Sequence, residues 1–89
     1  MNEKYLQELA EAIVSIKGVS LAQSFLHNIL TPSELEEISK RLQIVKLLLK
    51  GVSQREVAKK LGVSMGTVSR GSRELKYGTD GFKKVLQGD

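Results

Sequence analysis

Positively charged side chains are concentrated in one short stretch of this chain. The 89 residues include 14 Lys or Arg and 10 Asp or Glu, a formal net charge of +4. Residues 53–76 hold the whole excess, 6 − 2 = +4, as Arg55, Lys59, Lys60, Arg70, Arg73 and Lys76 against Glu56 and Glu74. Clustered cations of this kind bind phosphates, so the segment is predicted to contact a polyanion. A solvated basic face without a partner is the alternative.

The remaining residue types argue against an enzyme. His27 is the single histidine, and the chain has no cysteine. One histidine cannot complete a catalytic triad of nucleophile, base and orienting residue, and it cannot form a metal site, which needs several ligands at fixed spacing. We therefore expect a protein that is not an enzyme and that has no metal or cofactor.

The elements that must position the cations are helices, because apolar residues recur with helical spacing and no stretch alternates as a strand would. The first helix, with its stripe of Leu, Leu, Ile and Ile from residues 6 to 16, is predicted to close at Gly18. A capping box of Ser20 and Gln23 is predicted to open the second helix. TPSE gives the clearest start, with Thr31 as the N-cap of the third helix and Glu34 at its third position.

The third helix is predicted to run to about Lys50 and to stop at Gly51. Its apolar residues cover more than one face, so we expect it to be buried on more than one side, in the core of a homodimer. A short last helix is predicted within residues 79–87. Residues 1–89 are expected to form a single helical domain, in which 1–51 make the dimerisation core and 53–76 a helix-turn-helix.

The segment SQREVAKKLGVSMGTVSRGSREL has the layout of that helix-turn-helix. Ser53 is predicted to cap a helix over about 54–61, Gly62 to end it, and Ser64 to cap the second helix. A recognition helix enters the major groove by its N-terminal end, so its first turn must be slim. The predicted contacts with base edges or their neighbourhood are Ser64, Met65, Gly66, Thr67 and Ser69. The predicted phosphate contacts are Arg55, Lys59, Lys60 and Arg73, and the other predicted DNA contacts are Ser53, Gln54 and Ser72.

A more specific pattern extends over three segments, LTPSELEEISKRLQIVKLLLKG, SQREVAKKLG and TVSRGSRELK. Over residues 25–77 the chain resembles the bacterial tryptophan repressor family. The resemblance implies an all-α, six-helix, intertwined homodimer in the cytoplasm, which represses transcription by binding double-stranded operator DNA when L-tryptophan is bound. The absence of cysteine, of a signal peptide and of a membrane-length apolar stretch agrees with that location and with no membrane partner.

The resemblance also implies a ligand site. Arg41 would lie against one face of the indole, and Arg70 would hold the ligand carboxylate while its stem covers the other face. Thr31 would add a hydroxyl to that carboxylate, and backbone carbonyls near Asn28 and Leu30 of the partner subunit would accept from the ammonium. Thr67 and Ser72 are implied to lie close to the ligand or to a phosphate, and Gly71 is implied to pack where a side chain would obstruct the ligand or a neighbouring helix.

Glu74 departs from the family, in which serine is common at this position. Glu74 is four residues from Arg70, so the two could pair and leave Arg70 less available to a ligand. The chain would then be a ligand-independent regulator, or a transposase-type helix-turn-helix protein of the same superfamily. Alternatively, Glu74 receives the ammonium of the ligand. A protein-interaction module that binds no duplex is the alternative from another class.

The second helix of the pair is intrinsically weak. Gly66 and Gly71 each cost an interior helical position about 1 kcal/mol relative to alanine. A ligand between Arg41 and Arg70 could therefore decide how this helix is placed, provided that it binds the competent orientation better than the other. The alternative is that both glycines only permit close approach of DNA or of a neighbouring helix.

Overall fold

The structure, a computed structural model, describes residues 1–88, and in this range it is all-α. Its six helices are α1 (Glu3–Val14), α2 (Val19–Ile29), α3 (Pro32–Leu49), α4 (Gln54–Leu61), α5 (Met65–Tyr77) and α6 (Gly81–Gln87). The chain divides into two compact units, Met1–Leu35 and the residues from Glu36 onward, and the boundary falls within α3. The predicted fold class is confirmed. No helix in residues 1–88 is both long and apolar enough to cross a membrane.

The first unit carries apolar residues that the isolated chain leaves open to solvent. Neither α1 nor α2 has a buried residue. In the stripe along α1, the exposed fractions are 51% for Leu6, 38% for Leu9 and 51% for Ile13. These three residues keep the predicted helical period, whereas Ile16, the fourth residue of the predicted stripe, lies beyond the end of α1 at Val14. The first unit supplies no layer that buries the face they form.

The junction of α1 and α2 differs from the prediction. The first helix ends at Val14, before Gly18, and the Ser15 hydroxyl donates to the carbonyl of Ala12 at 2.7 Å. Gly18 is instead the N-cap of α2, with φ of 97°, a left-handed backbone that costs glycine nothing. Because the chain turns there, α2 starts at Val19 without a side-chain cap, and the predicted capping box of Ser20 is wrong.

The start of α3 is the predicted capping box. The backbone N–H of Glu34 donates to Thr31 Oγ1 at 3.2 Å, and the backbone N–H of Thr31 donates to Glu34 Oε1 at 2.9 Å. Hydrogen bonds from Thr31 hold the pKa of Glu34 below its ordinary value, and the bond from the Thr31 backbone has a larger effect than the bond from its side chain. The helix ends at Leu49, just before Gly51, whose φ of 88° confirms the predicted stop.

The core lies in the second unit, where α3, α4 and α5 meet. It is built on three buried side chains, one from each helix: Ile44, Val57 and Val68. Six half-buried residues pack against them: Leu47, Leu48, Val52, Ala58, Leu61 and Val63. A fully buried side chain of this size contributes about 1.5–3 kcal/mol, so this cluster fixes the pair α4–α5 against α3.

The last helix, α6, lies within the predicted range of residues 79–87. It begins at Gly81, and its N-cap Asp80 makes no side-chain hydrogen bond to the helix. Of its apolar residues, Phe82 and Leu86 are half-buried, whereas Val85 is 82% exposed.

Candidate nucleic-acid interface

The pair α4–α5 forms by the local signals that the sequence predicts. The Ser53 hydroxyl accepts from the backbone N–H of Glu56 at 3.2 Å at the start of α4. Gly62, with φ of 65°, ends α4 in the left-handed conformation that lets the chain turn. The Ser64 hydroxyl then accepts from the backbone N–H of Thr67 at 3.1 Å and opens α5. The two helices and their turn therefore have the layout of a helix-turn-helix.

The turn between the two helices is fastened to the core. The backbone N–H of Val63 donates to the carbonyl of Ala58 at 3.1 Å, and the Val63 side chain packs on the buried cluster. On either side of the turn, Val57 and Val68 are fully buried. The placement of α5 against α4 is thus set by core packing as well as by the turn.

The cations of this pair are exposed and form no ion pair within residues 1–88. Ion pairs in the described part of the chain join Lys40 to Glu36 and Arg41 to Glu37, both on α3. None of the six cations between residues 53 and 76 takes part in an ion pair, although all of them are exposed: Arg55, Lys59, Lys60, Arg70, Arg73 and Lys76. Their charge therefore remains available to an external anion.

The first turn of α5 is slim and open, as a helix that enters the major groove requires. A methyl group added at Gly66 would meet only Ser64 Oγ, at 3.8 Å. Met65 is 48% exposed. The Thr67 hydroxyl lies 2.8 Å from Ser64 Oγ, so it belongs to the cap of the helix while its side chain stays exposed. The structure thus brings four of the five predicted base-reading residues, 64–67, to one exposed end, whereas the fifth, Ser69, is half-buried.

Three residues predicted to contact DNA are joined by hydrogen bonds through Gln54. The Ser69 hydroxyl donates to Gln54 Oε1 at 3.1 Å, and Gln54 Nε2 donates to the Ser72 hydroxyl at 3.1 Å. Ser72 is only 8% exposed, which removes it from the surface where a direct contact was predicted. The spacing held a signal for this placement, because Ser72 follows the apolar Val68 by four residues and so shares its face of α5.

Gly71 faces a neighbouring helix. It is buried, and a methyl group added there would lie 3.0 Å from Ile44 Cγ2 of α3. This observation favours close helix approach as the reason for a glycine at this position.

The residues predicted to bind a ligand fall into both units. In the second unit, the exposed Arg41 makes a surface ion pair, its Nη2 lying 3.6 Å from Glu37 Oε1. Arg70 lines a shallow depression of about 380 Å³ together with Arg73, Glu74, Tyr77 and Gly78. Arg41 is not among its lining residues. In the first unit, Asn28 is exposed, Leu30 is half-buried, and Thr31 is engaged in the cap of α3.

Arg70 and Glu74 do not form the ion pair that their spacing permits. Both are exposed, and both line the same depression. A guanidinium and a carboxylate on one surface can bind the two charged ends of a zwitterion. Among residues 1–88 no cluster of three or more His, Cys, Asp or Glu has an arrangement that could hold a metal ion.

Comparisons with known proteins agree on one family. Residues 4–89 match the family described as Trp repressor protein. A Trp operon repressor homolog from Vibrio campbellii is 38% identical over 82 residues, which cover 91% of this chain and 82% of that protein. The uncharacterized Bacillus subtilis protein YerC is 29% identical over 83 residues, which cover 93% and 80%. The crystal structure of a TrpR like protein from Eubacterium eligens matches with a TM-score of 0.87 at 32% identity, over 94% of this chain and 87% of that one.

Proposed function

Because this chain belongs to the Trp repressor family, whose members are DNA-binding regulators rather than enzymes, we propose that it represses transcription as a homodimer on a specific operator. We further propose that L-tryptophan, or a similar amino acid, is its corepressor. The observation that carries the proposal is the pair α4–α5, in which exposed cations without ion-pair partners flank a slim, capped helix start.

On DNA, the N-terminal end of α5 enters the major groove. Ser64, Met65, Gly66 and Thr67 then face base edges, while Arg55 and Lys59 of α4 lie beside phosphates. Phosphate contacts release counterions, and each one adds about 0.9 to the slope of log affinity against log salt concentration. Binding should therefore weaken steeply as salt rises, and a flat salt dependence would contradict this use of the basic surface.

The homodimer is supported by the exposed apolar stripe of α1. Its residues Leu6, Leu9 and Ile13 are each at least 38% exposed, and α1 and α2 contain no buried residue. Contiguous apolar surface of this kind marks a protein–protein contact. A second copy that covers the stripe would bury several such side chains, and each contributes roughly 1.5–3 kcal/mol when burial is complete.

The corepressor is supported by the charges beside Arg70. Its guanidinium has no ion-pair partner, and Glu74 lines the same depression. An amino acid could place its carboxylate on Arg70 and its ammonium on Glu74; a contact of Arg41 with its side chain rests on the family resemblance alone, because Arg41 does not line this depression. Such a ligand promotes DNA binding only by the difference in its affinity for the competent and incompetent placements of α5.

A decisive experiment combines calorimetry against the twenty amino acids with duplex selection in the presence and absence of those that bind. We expect heat with L-tryptophan and a rise in stability that reaches about 2.7 kcal/mol at a ligand concentration one hundred times the Kd. Arg70→Ala should remove this response. Lys60→Ala, which also deletes an exposed cation, should retain it. Wild-type protein that selects a duplex but shows neither heat nor a stability shift with any amino acid would be a ligand-independent regulator. Failure to bind any duplex would favour a protein-interaction module.

A further inference from the structure

The side-chain amide of Gln54 joins the two helices of the pair. Gln54 is the first residue of α4, and its Oε1 atom accepts from the Ser69 hydroxyl at 3.1 Å. Its Nε2 atom donates to the Ser72 hydroxyl, also at 3.1 Å. The two serines are three residues apart and lie on the same side of α5. One amide thus holds two points along that helix.

This bridge lies partly inside the protein. Ser72 is 8% exposed and Gln54 is half-buried. The hydrogen-bond partner of the Ser72 hydroxyl is the Gln54 amide, and no buried side-chain N or O atom within residues 1–88 lacks a partner. Removal of the amide alone would leave that hydroxyl without this partner, which is costlier than removal of both groups together.

The Gln54 bridge restrains the rotation of α5 about its axis, which the apolar core restrains poorly. Contacts such as that of Val57 with Val68 are non-directional, so they resist separation of the helices better than rotation of one about its axis. Hydrogen bonds have strict distance and angle requirements. Two of them at successive positions on one face oppose rotation of α5, and rotation of α5 would redirect the exposed residues 64–67.

We propose that Gln54 is a positioning residue: it fixes the rotational setting of α5 against α4, and discrimination among DNA sequences depends on that setting. The inference rests on the proposed DNA-binding function. In this role Gln54, Ser69 and Ser72 act on one another rather than on DNA, while the exposed cations supply affinity that is independent of sequence.

The test compares affinity for a selected duplex with affinity for a scrambled one. Gln54→Met keeps the length and stem of the side chain but removes both hydrogen bonds. We expect the ratio of the two affinities to fall about tenfold, the discrimination of roughly one good base contact. Affinity for the scrambled duplex and its salt slope should not change, because the cations are intact. The matched control is Gln87→Met, at the exposed end of α6, which should leave the ratio unchanged.

A double variant separates positioning from stability. Gln54→Met/Ser72→Ala also removes the stranded hydroxyl, so it should regain much of the stability that Gln54→Met loses, as measured by urea unfolding. The affinity ratio should stay low, because no directional bond has been restored. A ratio that recovers together with stability would mean that Gln54 acts only through folding, and it would overturn the proposal.

The remaining outcomes are distinct. If the wild-type protein does not discriminate between duplexes, the proposed function is overturned. The positioning role is then overturned as well, before any variant is made. Wild-type discrimination that persists in the double variant overturns the positioning role alone. If Gln54→Met does not fold, Ser69→Ala removes one of the two bonds at a half-buried site, and it too must lower the ratio for the proposal to stand.

Discussion

The two glycines within α5 are expected to respond in opposite ways to alanine. At Gly66 the added methyl group would meet only Ser64 Oγ, at 3.8 Å, which is ordinary van der Waals contact. Gly66 is the second residue of α5, so alanine there should gain only part of the interior difference in helix propensity, which is about 1 kcal/mol. At Gly71 the methyl group would lie 3.0 Å from Ile44 Cγ2, with Leu48 Cδ1 at 3.9 Å behind it. One neighbour must therefore move.

Ile44 is poorly able to move. It is 1% exposed, and as a β-branched residue within a helix it has one strongly preferred rotamer. Overpacking of a filled core costs about 1–3 kcal/mol. The full propensity gain of about 1 kcal/mol applies at Gly71, which is interior to α5. Gly71→Ala should therefore range from nearly neutral to about 2 kcal/mol less stable than wild type, and it should be less stable than Gly66→Ala by up to about 3 kcal/mol.

Urea unfolding followed by circular dichroism measures this difference. All proteins must be compared at one concentration, because association contributes to the apparent stability of a dimer. The urea dependence should be the same in wild type and both variants, so that a shift in midpoint reports stability alone. A midpoint for Gly71→Ala equal to or above that of Gly66→Ala would refute the close approach of α5 to α3 as the reason for glycine at 71.

Three further changes test separate parts of the structure. Arg55→Ala should weaken binding to all duplexes alike and reduce the magnitude of the salt slope by about 0.9 in fluorescence anisotropy titrations. Lys40→Ala, on α3, is the control and should leave the slope unchanged. Equal slopes for the two variants would argue against a phosphate contact by Arg55. Ser64→Ala removes the cap of α5 and should cost about 1 kcal/mol in urea unfolding, and full stability would show that Ser64 Oγ contributes nothing. The pKa of Glu34 is held low by its bonds to Thr31, so its stabilisation is present at neutral pH and is lost as the pH falls below about 4. Glu34→Gln should therefore flatten the acid side of the stability profile, with Glu8→Gln as the control, and an unchanged acid slope would count against the capping-box charge.

The ends of most helices followed from the sequence alone. The caps at Thr31, Ser53 and Ser64 and the stop at Gly62 depend on groups three or four residues apart, so neighbouring residues suffice to specify them. The start of α2 was mispredicted because no side-chain cap marks it. There the backbone freedom of Gly18 sets the boundary, and no side chain caps the helix.

The sequence by itself also determined the basic surface, because a charge keeps its sign wherever the chain places it. Tertiary structure decided which polar residues face outward. Ser72 reads as a DNA contact by its type, yet packing of α5 on α4 buries it against Gln54, 18 residues away. The same packing sets Gly71 against Ile44 of α3. Such contacts depend on which face of each helix packs against its neighbour. The apolar residues of the core determine that packing together, so a local segment of sequence does not specify it.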